Sequence, residues 1–283
     1  MQQHWLFLIL NLNVFFAPLA NAQDKAAVDR IMLAYSGNRP GASLLVIHDG
    51  AIILQRNYGY ANREAEHPVR PTSNFRLASV TKQFTATCIL QLINRGVLSL
   101  STTLTDAFPG FPAYGQQVTV EHLLTHTSGI PDYEDYVADT TFHPQVRDQG
   151  VLDILMHLNR GYFTPGTQFR YSNSGYALLA LMVERYSGKR FADYLSEEIF
   201  SPLGMSATVA HEDGVSIVAE RAFGYSSEAG TWIRKDQSST SAVLGDGGIY
   251  SNVLDLYKWD QALYSSRLLP QDLIEKCFGS YRL

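Results

Sequence analysis

The sequence predicts an α/β chain in which an antiparallel sheet flanked by helices encloses an inserted, all-helical stretch. Three observations predict it. Two short apolar runs, 43–47 and 51–58, flank His48-Asp49-Gly50, and Asp-Gly between such runs signals a tight hairpin. A helical apolar period follows over residues 80–95 and recurs through the middle of the chain. Residues 213–248 then turn Gly- and Ser-rich, with short β-like pieces at 223–225 and 231–233.

The elements follow in order. Residues 24–35 read as a first helix ahead of the hairpin. In 80–95 the apolar positions Phe84, Cys88, Leu92 and Ile89, Ile93 fall on one helical face, and Gly96 supplies the stop. The Pro-, Gly- and aromatic-rich residues 108–114 mark the crossing into a second region, with helices expected at 118–124, 150–159 and 175–186. The last of these carries Tyr176, Leu179, Met182, Val183 and Tyr186 on one stripe, the pattern of a helix packed on a core. A helix at 191–200 should end at Ser201-Pro202, and another should span 253–264. The expected domains are thus an α/β domain from 23–110 and 226–283 and an inserted helical domain from 111–225.

Composition narrows the function. The 283 residues are 46% hydrophobic and 17% charged, as in an ordinary globular protein, and the net charge of −5 offers no basic face for nucleic acid. The expected partner is a small or peptide-like substrate rather than a nucleic acid; the oligomeric state is open. Residues 1–22 hold no Asp, Glu, Lys or Arg, are apolar from Trp5 to Ala17 with two Asn interruptions, and end in Ala20-Asn21-Ala22. This is the pattern of a signal peptide, so a secreted or periplasmic protein without stable membrane insertion is expected. Of the two cysteines, Cys88 falls in an apolar helix and reads as a buried free thiol rather than a partner of Cys277.

The chemistry centres on Ser79-Val80-Thr81-Lys82. Positions i and i+3 share a helical face, which sets the Lys82 ammonium beside the Ser79 hydroxyl. A serine hydroxyl is a poor nucleophile until a neighbour takes its proton. Tyr171, in Tyr171-Ser172-Asn173, is the second candidate for that task on the family resemblance given next. A nearby ammonium favours the phenolate, whereas burial favours a neutral Lys82, so either residue qualifies as the base. The Ser79 N–H, at a helix N-terminus, points where an oxyanion would develop.

In Phe75-Arg76-Leu77-Ala78-Ser79-Val80-Thr81-Lys82-Gln83-Phe84-Thr85 the chain resembles the class C β-lactamase-related branch of the serine β-lactamase and penicillin-binding protein superfamily. Supporting segments follow in family order: Leu123 to Ile130, Pro165-Gly166 with Tyr171-Ser172-Asn173, and Gly245-Asp246-Gly247-Gly248-Ile249-Tyr250-Ser251. The resemblance implies a two-lobed fold and a serine hydrolase with no cofactor and no metal. It implies catalytic Ser79, Lys82 and Tyr171, and substrate-binding Asn173 and Gly248. It also implies an acyl-serine intermediate formed on a small-molecule or peptidoglycan-like substrate: a β-lactam, a D-Ala-D-Ala peptide or an ester.

Family members carry a third box, Lys-Thr-Gly or His-x-Gly, beyond the Gly-rich segment; none follows Ser251 here. The expectation is a C-terminally truncated member whose N-terminal hairpin is left nearly alone. The alternatives are a penicillin-binding protein that acylates without turnover, or an inactive fragment. His126 with Asp132 mimics a triad, but His126 lies in a segment that is structural in the family. His122 and His126 have metal-ligand spacing without the Glu of His-Glu-x-x-His. Gly245 to Gly248 reads as a tight loop at the wall of the site.

Overall fold

The computed structural model describes residues 22–138 and 144–279. The leader pattern at 1–22 lies outside these residues except for Ala22, which opens helix α1 (Ala22–Ile31). A 3-10 turn, Met32–Tyr35, completes the predicted first helix.

Strands β1 (Ala42–His48) and β2 (Ala51–Tyr58) form the antiparallel hairpin. Asp49 and Gly50 take φ of 49° and 76°, the paired left-handed conformation of a two-residue turn matched to strand twist. The pair stays a two-stranded sheet with only Leu54 deeply buried. Its turn is tied down by the Tyr257 hydroxyl, which donates to the Gly50 carbonyl at 2.6 Å. Two short strands, β3 (Tyr60–Asn62) and β4 (His67–Pro68), pair next.

Strand β5 (Phe75–Arg76) and a 3-10 turn at Ala78–Thr81 lead into helix α2 (Lys82–Asn94), which buries Phe84, Cys88, Ile89 and Leu92. Cys88 and Cys277 are both free. Helices α3 (Leu104–Ala107), α4 (Val120–Leu124), α5 (Asp148–Met156) and α6 (Asn173–Ser187) follow. The α6 face predicted from periodicity is buried at Tyr176, Leu179, Met182 and Val183, and α6 packs on both α2 and α5.

Helix α7 (Phe191–Leu195) runs through a π-helical turn, Ser196–Phe200, into α8 (Ser201–Leu203). Pro202 does not stop the helix at Ser201 as expected. Proline is tolerated in the first turn of a helix, and the stop comes at Gly204, with φ of 70°. Strands β6 (Val209–Ala210), β7 (Tyr225–Glu228) and β8 (Thr231–Arg234) come next, the β7 strand starting where the predicted 223–225 piece ends.

Residues Leu244–Gly247 form a short helix, α9, rather than a loop. It is capped from a distance: the Asp148 carboxylate accepts from the Leu244 and Gly245 N–H groups at 2.8 and 2.9 Å. Gly245 is required by contact, since a Cβ there would lie 2.3 Å from the Tyr176 carbonyl. Strand β9 (Ile249–Ser251) is the centre of a three-stranded sheet ordered β5-β9-β6. Helices α10 (Val253–Leu263) and α11 (Gln271–Cys277) end the described chain. Trp259 of α10 packs on Phe84, ring centroids 4.2 Å apart.

Candidate active site

The turn carrying Ser79 is held from both sides. Before it, Leu77 N–H donates to the Ile249 carbonyl at 2.8 Å. After it, Thr81 Oγ1 accepts from Ile249 N–H and Thr85 Oγ1 donates to the Gly245 carbonyl at 2.7 Å. Ala78 is forced to a φ of 47°, a left-handed conformation that costs a non-glycine residue on the order of 1 kcal/mol. Ser79 is exposed at the crest of this bend, and as the second residue of its turn its N–H has no acceptor within it. An Ala78→Gly substitution is therefore expected to raise the thermal midpoint by a few degrees while loosening Ser79; calorimetry and the rate of Ser79 acylation report the two effects separately.

Lys82, 6% exposed, sits one turn later. Its Nζ donates to Asn173 Oδ1 at 2.8 Å, to the Asp246 carbonyl at 2.9 Å and to Ser79 Oγ at 3.3 Å. Three acceptors satisfy the three N–H bonds of an ammonium. The charge also lies 4.9 Å from the centre of the Tyr171 ring and 5.5 Å from that of Tyr176.

Tyr171 and Asn173 are set by the start of α6. Ser172, in extended conformation, is its N-cap and its hydroxyl accepts from Gly175 N–H at 3.1 Å, so Asn173 is the first helical residue and Tyr171 lies just ahead of the cap. His126, at a φ of 58°, stacks on Tyr171 with centroids 4.5 Å apart, and its Nδ1 accepts from Ser172 N–H. That bond needs neutral imidazole, and burial, with the Lys82 charge, pushes the His126 pKa down to about 4. His126 supports the Tyr171 loop and reaches neither Ser79 nor Asp132. Asp132 instead accepts from Glu134 N–H and Asn173 N–H. His122 caps its own helix, its Nδ1 accepting from Thr119 N–H at 3.2 Å. The phenol of Tyr171 makes no hydrogen bond among the described residues.

Sequence reasoning missed two acids. Asp246 is buried against Lys82, and its carboxylate accepts from Tyr133 Oη at 2.9 Å; burial, only partly offset by Lys82, raises its pKa to about 7. Glu134 accepts from Asn173 Nδ2 at 3.1 Å and lines the same cleft as Ser79. The Gly-Asp-Gly-Gly string was a signal for the first; nothing local announced the second. Gly248 does not face the cleft. It is buried behind Gly247, with its carbonyl accepting from His211 N–H, and Gly247 lines the wall instead. The cleft is small, about 90 Å³, and is bounded also by Arg76 and Asn173. A larger cavity, about 400 Å³, lies beyond Asp148 and does not reach Ser79.

The Beta-lactamase family profile matches residues 20–277. The chain belongs to the Beta-lactamase family. This family member is 34% identical over 254 residues to penicillin-binding protein 4* of Bacillus subtilis (strain 168), a match covering 85% of this chain and 56% of that one. The chain thus spans about half the length of that relative. Among solved structures, the octameric penicillin-binding protein homologue from Pyrococcus abyssi superposes with a TM-score of 0.78 at 29% identity, over 92% of this chain and 60% of that one. A D-amino acid amidase from Ochrobactrum anthropi SV3 superposes at 0.74 and 27%, covering 89% and 73%. The mixed helical and antiparallel-sheet fold expected for a Beta-lactamase family member is the one observed. No helix among the described residues is long and apolar enough to cross a membrane.

Proposed function

We propose that the chain is a serine hydrolase that forms an acyl-Ser79 intermediate on a small amide or ester. The observation that carries this reading is the buried Lys82, whose ammonium joins Ser79 Oγ to Asn173 Oδ1. In the proposed reaction Ser79 Oγ attacks the substrate carbonyl as its proton leaves. Lys82 already spends its N–H bonds on three acceptors, so the oxygen of Tyr171, once it has lost its own proton and stands as phenolate beside the ammonium, is the group left to receive the proton of Ser79. The proton then passes to the departing amine or alcohol as the C–N or C–O bond breaks. The Ser79 N–H faces the developing oxyanion. Water hydrolyses the acyl ester and regenerates Ser79. The leader pattern at 1–22 supports export as the setting.

The test is intact-mass spectrometry of the purified chain after exposure to a fluorescent penicillin and to a fluorophosphonate, with Ser79→Ala alongside. The expected result is an adduct lost in Ser79→Ala and product released from an amide or ester. An adduct that persists without product marks a protein that acylates without turnover. No adduct on a folded chain overturns the reading.

A further inference from the structure

We infer that Asp148 is a positioning residue for acylation: buried outside the cleft, it fixes α9 so that the Asp246 carbonyl receives Lys82. This rests on Ser79 being the acylated residue. Helix α9 cannot hold its own shape. It is four residues long, two of them glycine, and its N-cap, Val243, has no side-chain oxygen to offer. The Leu244 and Gly245 N–H groups belong to the first turn, which a helix cannot satisfy from within. Both donate to Asp148, at 2.8 and 2.9 Å, and they use both carboxylate oxygens, Oδ2 for Leu244 and Oδ1 for Gly245.

The same peptide units reach the nucleophile. Gly245 gives its N–H to Asp148 and its carbonyl to Thr85 Oγ1 at 2.7 Å, and the next carbonyl, that of Asp246, accepts from Lys82 Nζ at 2.9 Å. Helix α9 is thus gripped by Asp148 at its start and by two residues of α2 just beyond. The longest bond of Lys82, 3.3 Å, goes to Ser79 Oγ, and it is the one that a small shift of α9 weakens first. Asp148 lines the cavity of about 400 Å³ and not the cleft that holds Ser79, so its effect on Ser79 runs through α9. The charged groups around it are Arg147, which precedes it, Glu184 of α6, Asp246 of α9, and Glu212 and Asp213 of the same cavity, with Glu212 paired to Arg190. Burial raises the Asp148 pKa to about 6, and a protonated carboxyl keeps one good acceptor for two N–H groups.

The experiment is stopped-flow acylation by a chromogenic penicillin over a range of concentrations, in the wild type and in Asp148→Asn, with rates normalised to the fraction of chains whose Ser79 a fluorophosphonate labels. Asparagine leaves one acceptor for the two N–H groups. At pH 8 it should lower the limiting acylation rate about 10- to 100-fold, the scale of an ångström-sized misplacement, and leave the half-saturating concentration unchanged. The ratio of wild type to variant should fall about five- to tenfold on going to pH 5, where a group of pKa about 6 is about nine-tenths protonated. Asp246 titrates in both proteins and drops out of the ratio. Equal limiting rates at pH 8, a change confined to the half-saturating concentration or to the labelled fraction, or a ratio indifferent to pH overturns the inference. Should Asp148→Asn not fold, the wild type decides alone: the amide signal of Leu244, in a chain labelled with nitrogen-15 leucine, and the limiting rate must share an inflection near pH 6, and a rate without it overturns the inference. Fluorophosphonate labelling of the wild type separates the two failures. Normal labelling with no effect of Asp148 removes only the positioning role; absent labelling on a folded chain removes the hydrolase reading and this one together.

Discussion

Lys82→Ala is expected to slow acylation of Ser79 by about 10³-fold while the chain stays folded. Three losses combine. The ammonium that steadies charge around Ser79 and Tyr171 disappears, and removing one preorganised donor of this kind costs about 10²–10³ in other serine enzymes. Ser79 Oγ and Asn173 Oδ1 lose their common tether, so the turn carrying Ser79 and the start of α6 are no longer held in register. The Asp246 carbonyl, buried at the same point, is left for water to satisfy. Lys82→Arg is not a rescue, because a planar fork cannot address three acceptors grouped around one nitrogen. Stopped-flow acylation by a chromogenic penicillin, with circular dichroism to check folding, measures the effect. A loss below tenfold in a folded variant sinks the argument that Lys82 organises the site.

The second large effect is on stability, and it depends on pH. Burial raises the Asp148 pKa to about 6 and that of Asp246 to about 7, whereas carboxyls in the unfolded chain ionise near 4. Both groups therefore bind protons more tightly in the folded state. Their stabilising contribution is complete below about pH 4 and is lost as pH rises through 6 for Asp148 and 7 for Asp246. For Asp246 the loss is on the order of 3 kcal/mol or more. Urea unfolding of wild type and Asp246→Asn at pH 5 and pH 8 checks it. The wild type should lose stability between the two values, and the asparagine variant, which keeps an acceptor for Tyr133 Oη, should lose less. Parallel pH dependence in the two proteins refutes the assignment to Asp246.

Much of this arrangement was legible in the residues because the signals are local. Asp49-Gly50 dictates a hairpin turn by its backbone preference alone, and the α2 and α6 stripes repeat at the helical period. Ser79 and Lys82 are three residues apart, so a single helical turn brings them together. What was hidden depends on distant partners. Strands β5, β6 and β9 are two or three residues long, too short to show alternation. The Gly-rich segment at 244–247 is helical because Asp148, 96 positions from Leu244, caps it. That same helical turn buries Gly248 and presents Gly247, which displaces the expected wall residue by one. Glu134 reaches Asn173 across 39 positions, a separation with no local pattern.

The Lys82 ammonium has a consequence for how the chain assembles. It joins its own helix to Asn173, 91 positions later, and to Asp246, 164 positions later. Contacts this remote in sequence are closed late and slowly, after local helices and the hairpin have formed. A reactive Ser79 is accordingly a signature of the last ordering step, and the rate at which a refolding chain regains the capacity to be acylated is a clock for completion of the whole molecule.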